Sequence, residues 1–341
     1  MEHCNRSTFW GLLAVAALAG CAEDKYVLDS YSTMRYEVLT LPAAADTLAL
    51  RTVDFVSARE GFAGGAGGSF FATTDGGQSW ARRAAPAPGT IHKLLFGTAS
   101  AGWAGTDAGL FRTANGGASW QYVSTYDAYG SLVGGITDVQ FVTAQTGYAV
   151  GANGAIHKTT NGGATWANVQ RLISKRYTFR AVSFTSADSG SVVGDENAHW
   201  RTGNGGQTWE VYDALGGPAA QATTHDVLRS SLKTYLLATP SGFRAYTPQS
   251  SGYYERPDED YGYPVYGLAS AGPAGPVVGV GERTVIRRHE GYSKRETTPW
   301  AYVHAPDGTS LAATFYAADF ADAATFYAVG ARGVIYRFHY Q

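Results

Sequence analysis

The chain has few charged residues, few cysteines and few long apolar runs. Of 341 residues, 26 are Lys or Arg and 28 are Asp or Glu, which leaves a formal net charge of −2. Nucleic-acid-binding proteins normally carry a clear basic excess, so the balance argues against a nucleic-acid partner. Beyond the N-terminal region no stretch approaches eighteen consecutive apolar residues, and no transmembrane helix is predicted there.

Glycine and aromatic residues are abundant instead. The chain contains 43 Gly and 22 Tyr, and 45% of its residues are hydrophobic. That hydrophobic content excludes a disordered chain, because enough apolar surface is present to form a core. Many turn-forming and aromatic residues with little charge predict an all-β protein.

Residues 1–20 are interpreted as a signal peptide. The apolar run 9–19 suits the hydrophobic region of such a peptide and is too short to span a bilayer. The segment Leu18-Ala19-Gly20-Cys21 resembles the lipobox of bacterial lipoproteins. That resemblance implies that Cys21 becomes the lipidated N-terminus; an ordinary signal peptide that happens to precede a cysteine is the alternative.

Residues 21–35 are then predicted to be a polar tether. Cleavage would remove Cys4 and lipidation would consume Cys21, so the mature chain would have no disulfide. Ala22 follows the lipidated position, which by resemblance to the enterobacterial sorting rule favours the outer membrane. The expected location is the bacterial cell envelope, lipid-anchored, on the periplasmic or surface side.

A repeat dominates the rest of the chain. Four eight-residue segments match almost letter for letter, at 73–80, 113–120, 159–166 and 202–209. Each has Thr first, Asp or Asn third, a Gly pair, and a final Ser/Thr-Trp. The Gly pair supplies the positive φ of a tight turn, and Asp or Asn accepts backbone N–H bonds across it.

Strand-like runs surround each repeat and continue after the turn motif degrades. Seven units begin near residues 50, 91, 136, 179, 224, 265 and 312, and one orphan strand lies at 36–42. The predicted fold of residues 36–341 is therefore a seven-bladed β-propeller of four-stranded blades, with the ring closed by the N-terminal strand. Closure removes exposed sheet edges.

The repeat resembles the Asp-box, or BNR, repeat. It is closest in form to the repeat of photosystem II stability/assembly factor-like proteins, which residues 147–166 follow nearly throughout. The resemblance covers residues 36–341 and implies a non-enzymatic protein that holds another protein. Three units lack the box, and no other sequence feature indicates a role in photosynthesis.

The repeated Asp and Asn residues are interpreted as structural. The resemblance implies that they cap the turn between the third and fourth strands, on the face away from the central channel mouth. Three of the four are Asn, which cannot perform carboxylate chemistry. The predicted structural residues are Asp75, Trp80, Asn115, Trp120, Asn161, Trp166, Asn204 and Trp209.

The candidate binding surface is the opposite face, around the channel mouth. Alignment of the units places equivalent residues where each first strand begins: Arg51, His92, Thr137, Arg180, Thr224, Val265 and Tyr316. Turns between second and third strands add Asp195, Glu196, Arg283 and Arg332, and the Tyr-rich loop 251–266 adds Tyr261 and Tyr263. Tyr and Arg are favoured at interfaces; solvated turn residues are the alternative interpretation.

These features predict a lipid-anchored envelope scaffold or assembly-factor-like protein that binds a protein or peptide on its top face. No enzyme activity, cofactor or metal is expected, because no complete catalytic signature and no metal-ligand spacing is present. The alternative is a carbohydrate-binding or glycoside-hydrolase-like surface lipoprotein related to sialidases or xyloglucanases. Such an enzyme would need facing acids, for example Asp195 or Glu196 opposite residues 258–260.

Overall fold

The computed structural model describes a large part of the chain with gaps. The described ranges are 34–39, 41, 48–125, 135–169, 178–211, 223–229, 235–246, 263–272, 275–288, 300–303 and 311–339. The predicted signal peptide, Cys21 and all but the last two residues of the predicted tether lie outside these ranges. Within them, no helix has the length and apolarity needed to cross a membrane.

The described residues form antiparallel sheets, and each four-stranded sheet is called a blade. Blade 1 contains β2 (Leu50–Phe55), β3 (Gly61–Gly65), β4 (Phe70–Thr73) and β5 (Ala81–Arg82). Blade 2 contains β6 (Ile91–Phe96), β7 (Gly102–Thr106), β8 (Gly109–Thr113) and β9 (Gln121–Val123). Blade 3 contains β10 (Ile136–Phe141), β11 (Gly147–Gly151), β12 (Ile156–Thr159) and β13 (Ala167–Asn168).

The second half of the chain follows the same order. Blade 4 contains β14 (Phe179–Phe184), β15 (Gly190–Gly194), β16 (His199–Thr202) and β17 (Glu210–Val211). A three-stranded sheet contains β18 (Asp226–Arg229), β19 (Tyr235–Thr239) and β20 (Gly242–Tyr246). Blade 5 contains β21 (Val265–Ser270), β22 (Val277–Gly281), β23 (Thr284–Arg288) and β24 (Trp300–Tyr302). Blade 6 contains β25 (Phe315–Asp322), β26 (Thr325–Gly330), β27 (Ile335–His339) and β1 (Arg35–Leu39).

The prediction of seven four-stranded blades is wrong. The described residues form six blades, and the sheet β18-β19-β20 has three strands. The sequence after β20 lacks the Asp-box turn and its Trp, and it begins with Thr247-Pro248. The complete repeat pattern is therefore missing at this point, and residues 247–262 lie outside the described ranges.

The hydrophobic core lies between neighbouring sheets. Each of seven buried clusters joins one sheet to the next around the ring. At the junction of blades 1 and 6, for example, Phe55 and Trp80 pack with Tyr327 and Val329. The second strands β3, β11, β15, β19 and β22 are buried along their whole length because a sheet covers each face.

The two ends of the folded chain meet in blade 6. Strand β1 pairs antiparallel with β27, with Tyr36 opposite Phe338 and Val38 opposite Tyr336. Tyr36 also stacks on the ring of Tyr336 at 5.2 Å between centroids, and Glu37 is hydrogen-bonded to Arg337. The last blade therefore takes its outer strand from the start of the sequence.

Candidate functional site

The Asp-box turns are built from their own side chains. In the first box, the N–H of Gly77 donates to Thr73 Oγ1 (2.8 Å), and Thr73 Oγ1 donates to Asp75 Oδ1 (2.8 Å). The N–H and hydroxyl of Ser79 both donate to the same carboxylate. These hydrogen bonds, led by the one from the Ser79 side chain, lower the pKa of Asp75 to about 2.

Asparagine builds the same turn in the other three boxes. Asn161 Oδ1 accepts from Thr159 Oγ1 (2.9 Å) and from the N–H of Thr165 (3.0 Å), as the carboxylate does. Its Nδ2 donates to Thr165 Oγ1 (2.8 Å). The hydroxyl therefore accepts this hydrogen bond, whereas the Ser79 hydroxyl of the first box donates the equivalent one. The Asp or Asn side chain and the two hydroxyls of the box are used to close the turn, which indicates a structural role for these residues.

The boxes and the channel mouth lie at opposite ends of the blades. Strand β4 ends at Thr73, which pairs with Gly61, and Gly61 pairs with Phe55 at the far end of β2. Strand β2 begins at Leu50, so the Asp-box turn stands a full strand length away from that end. Functional groups at the strand starts therefore lie on the face without boxes.

A β-bulge marks the start of the first strand in every blade. The pairing register breaks at a single residue there, and a bulge re-aims the side chain of the extra residue. The bulged residues are Arg51, His92, Thr137, Arg180, Tyr266 and Tyr316. Together with His225 they line a cavity of about 360 Å³, which we call the mouth.

Two members of the mouth differ from the sequence alignment. Thr224 and Val265 were predicted at these places, but both are buried, with 2% and 1% of their surface exposed. The adjacent His225 and Tyr266 line the cavity instead. Because alternate residues of a strand face opposite ways, a one-residue error exchanges a mouth side chain for a core side chain. The irregular spacing of a bulge gives no sequence signal that would locate it.

Partners within the protein set the charge of the mouth. Arg180 donates through Nε and Nη2 to the two oxygens of Asp195, at 2.9 and 3.0 Å. His92 Nε2 lies 2.7 Å from Asp107 Oδ1. Burial, followed by the charge of Arg180, lowers the pKa of His225 and favours its neutral form.

Arg51 is the mouth cation without a carboxylate partner among the described residues. Its guanidinium carbon lies 4.0 Å from the centroid of the Tyr316 ring, which leaves its N–H groups exposed. Tyr316 contacts Tyr266, whose ring packs edge-on against His225 at 5.0 Å. The mouth thus offers one unpaired positive charge beside an aromatic surface, and is less basic than the sequence indicated.

The other predicted site residues lie around the mouth or beyond the described residues. Glu196, Arg283 and Arg332 occupy left-handed positions in exposed turns between second and third strands, and none lines the cavity. Tyr263 is 45% exposed. Tyr261 lies outside the described residues, as do the acids at 258–260 that were considered opposite Asp195. Within the described ranges no cluster of His, Cys, Asp and Glu has a geometry that would hold a metal.

Below the mouth, carboxylates from four first strands connect their sheets to the next sheet in the ring. Each accepts a hydrogen bond through Oδ2 from a backbone N–H of the neighbouring first strand. The pairs are Asp54 with Phe96 (2.7 Å), Asp138 with Val182 (2.9 Å), Asp226 with Leu268 (2.8 Å) and Asp319 with Phe55 (2.7 Å). We call these four side chains the channel carboxylates. They were not predicted from the sequence, because their strands mix polar and apolar residues and no motif marks the acids.

One lysine faces this acidic ring. Lys93 Nζ lies 3.3 Å from Asp138 Oδ1, and 38% of the lysine side chain is accessible from the channel. Burial raises the pKa of Asp226 to about 7, with a further contribution from the charge of Asp138. Burial also raises the pKa values of Asp54 and Asp319, which interact with each other. Desolvation thus outweighs the hydrogen bonds and the charge of Lys93.

Comparison with known proteins gives a partial family match and a broad structural one. Residues 131–223 match the family model described as photosynthesis system II assembly factor YCF48. No curated protein matches the chain. The structure of YCF48 bound to D1 peptide has a TM-score of 0.68 at 17% identity, covering 90% of this chain and 97% of that one.

Two further structures show how widely the fold is shared. YCF48 from Cyanidioschyzon merolae has a TM-score of 0.66 at 18% identity, covering 89% of this chain and 98% of that one. An inactive virginiamycin B lyase from Staphylococcus aureus, crystallised with quinupristin, has a TM-score of 0.62 at 11% identity, covering 90% and 99%. Likeness at these identities establishes a β-propeller fold, and the match at 131–223 indicates a BNR-like propeller related to the assembly-factor type.

Proposed function

We propose that this protein is a lipid-anchored scaffold of the bacterial envelope that binds an extended segment of another protein at its mouth. The observation that carries this proposal is the ring of bulged side chains, one from each blade, around one cavity. Such a ring holds its side chains on packed strands, so a partner is bound without ordering a loop. No catalytic step is part of the proposal.

The chemistry of the mouth suits a peptide with an acidic group. Arg51 supplies a charge that no described carboxylate neutralises, and Tyr266 and Tyr316 supply an aromatic surface beside it. Arg and Tyr are the residues most often responsible for binding energy at protein interfaces. The YCF48 structure with D1 peptide supports the proposal by analogy, since it shows a propeller of this fold with a bound peptide.

Envelope cross-linking of the lipidated protein tests the proposed partner. We expect one stoichiometric protein to be captured, and Arg51→Glu to reduce its capture about tenfold, because charge reversal repels the partner's acidic group. Arg332→Glu is the matched control, since Arg332 lies on the same face but outside the cavity. Enrichment of polysaccharide in place of a protein, or capture unaffected by Arg51→Glu, would contradict the proposal.

The proposed anchor depends on Cys21. Metabolic labelling with a fatty acid should label the wild-type protein, which should co-fractionate with outer membranes. Cys21→Ser should remove the label and release the protein from the membrane fraction, because the lipid would be its attachment. Unlabelled wild-type protein, or a Cys21→Ser variant that stays in outer membranes, would show that the anchor is absent or different.

A further inference from the structure

A second cavity opens on the Asp-box face, between blades 2 and 3. Its volume is about 970 Å³, and aromatic and aliphatic side chains form much of its wall, among them Trp103, Trp120 and Phe141. Among the residues that line it, Arg112 is the only charged one. We call this cavity the blade 2–3 groove.

Two equivalent junctions in the ring, between blades 3 and 4 and between blades 6 and 1, are closed by a basic side chain. Lys158, opposite Tyr148 in the β11–β12 pair, donates through Nζ to the carbonyl oxygen of Gly205 (3.1 Å). Arg337, opposite Tyr327 in the β26–β27 pair, donates through Nη1 to the carbonyl oxygen of Gly76 (3.0 Å). In both cases the cation reaches the Asp-box turn of the next blade.

Stacked rings lie beneath these two closures. Tyr148 stacks on Phe184 of the next blade at 3.6 Å between centroids, and Tyr327 stacks on Phe55 at 3.8 Å. The Tyr148 hydroxyl also donates to the carbonyl oxygen of Ala187 (2.6 Å). At both junctions a stacked pair of rings and a hydrogen-bonded cation therefore bridge one blade to the next.

The junction between blades 2 and 3 lacks this closure. Arg112 is opposite Trp103 in the β7–β8 pair, the same register position as Lys158 and Arg337. Its Nε donates to Gln121 Oε1 (2.9 Å) on its own blade, and its terminal guanidinium nitrogens have no hydrogen-bond partner among the described residues. Trp103 is tilted against Phe141 at 5.5 Å, so the rings do not stack and the groove stays open.

We infer that the blade 2–3 groove binds a small aromatic carboxylate. The aromatic body would lie against Trp103 and Phe141, and the carboxylate would pair with the terminal nitrogens of Arg112. A cavity of this volume, with an aromatic wall and polar side chains that can fix a ligand's orientation, is typical of small-molecule sites. A guanidinium facing no acid binds a carboxylate through two parallel N–H bonds. This site lies on the face opposite the mouth and is independent of the function proposed above.

Calorimetric titration of the mature protein with 1-naphthoate and its neutral analogue 1-naphthamide tests the inference. We expect saturable binding of naphthoate at a single site and binding of naphthamide about tenfold weaker, because the amide loses the charge-assisted bonds. Arg112→Gln should abolish that preference. Arg83→Gln is the matched control, since Arg83 is also exposed and contacts the Asp-box turn of blade 2 through Gly116.

Three results would overturn the inference. The first is no saturable naphthoate binding up to about 1 mM, the limit of a weak specific site. The second is equal binding of acid and amide by the wild-type protein, or a preference that survives Arg112→Gln. The third is loss of naphthoate binding in Arg51→Glu, which would place the ligand in the mouth.

Discussion

At the third position of the box, one side-chain atom distinguishes Asp75 from the asparagines of the other three boxes: an oxygen replaces the amide nitrogen. Asp75 accepts from the Ser79 hydroxyl, whereas Asn161 donates to the Thr165 hydroxyl, and a hydroxyl can take either role. The turn therefore tolerates either residue but needs the shared Oδ1 acceptor.

Asp75→Asn is accordingly expected to leave the free energy of unfolding nearly unchanged, because the amide keeps the Oδ1 acceptor. Asp75→Ala removes the acceptor for the N–H of Ser79 and is expected to lower the free energy of unfolding clearly more. Urea unfolding of the two variants at neutral pH measures both effects. Equal destabilisation by Asn and Ala would show that the carboxylate charge, which the structure makes dispensable, is required.

The second glycine of the third box carries two constraints. Gly163 has φ +80°, and a Cβ built there would lie 2.2 Å from an aromatic carbon of Trp103. Gly67 has φ +63° with nothing within 4 Å of a built Cβ, so it isolates the backbone contribution. Gly67→Ala is expected to cost about 1 kcal/mol, and Gly163→Ala at least about 3 kcal/mol because the indole must move. Chemical denaturation measures both losses of unfolding free energy. Similar losses for the two variants would mean that the Trp103 side chain moves aside at little cost.

At the scale of strands, the channel carboxylates replace backbone pairing between sheets. First strands of neighbouring sheets do not share a ladder, so Asp226 reaches the N–H of Leu268 with its side chain. A carboxylate can accept from its own strand and from the next at once, as Asp226 does with Val227 and Leu268. The disadvantage is the burial of charge, which raises the pKa values of Asp54, Asp226 and Asp319.

That burial predicts the pH dependence of stability. The pKa of Asp226 is about 7 in the folded protein against an ordinary value of 3.8. Between these values the folded state holds a proton that the unfolded state has lost, so the free energy of unfolding falls as pH rises from about 4 to 7. The slope is at most about 1.4 kcal/mol per pH unit for one proton. Asp54 and Asp319 act in the same direction.

The free energy of unfolding in urea, measured between about pH 5 and pH 8 at constant ionic strength, tests this dependence. Asp226→Asn should flatten the slope, although it also leaves one N–H without its acceptor and lowers stability overall. The comparison is therefore of slopes. Asp188→Asn, at an exposed loop position, should keep the wild-type slope. An unchanged slope in Asp226→Asn would show that Asp226 stays ionised across this range.

At the scale of the whole molecule, stability depends on closing the ring. Neighbouring sheets pack through seven apolar clusters in series, and the last blade needs strand β1 from the other end of the chain. Without β1, the backbone edge of β27 would be free to pair with another chain. Removing one short strand therefore affects more than its own contacts.

A deletion of residues 1–39 should lower the melting temperature by about 5–10 °C and promote aggregation, because it removes β1 and the Glu37–Arg337 pair. A deletion of residues 1–33 keeps β1 and is the control. Differential scanning calorimetry with light scattering measures both. Equal melting temperatures would show that blade 6 is complete without its N-terminal strand.

The sequence by itself determined the repeat, the all-β class and the positions of the Asp-box turns. Those features are local: a turn closed by Thr73, Asp75 and Ser79 needs no partner beyond eight residues. Period and turn chemistry therefore predicted most strands and the pairing of the chain ends. The blade count was wrong at the sheet β18-β19-β20, which has three strands among the described residues. The missing Asp-box does not decide this, since β23 is also followed by no box and still pairs with β24.

The tertiary structure alone decided which side chains meet. Tyr266 enters the mouth because a bulge shifts its strand by one residue, and no residue pattern announces that shift. His225 enters it from the position directly before β18. The pairing of Arg180 with Asp195 and the fastening of Asp226 to Leu268 join groups 15 and 42 positions apart. The open groove at Arg112 is equally non-local, since three bulky rings and one cation share a space that the blades define together. Contacts of this kind depend on how rigid sheets pack around an axis, and a linear pattern does not carry that geometry.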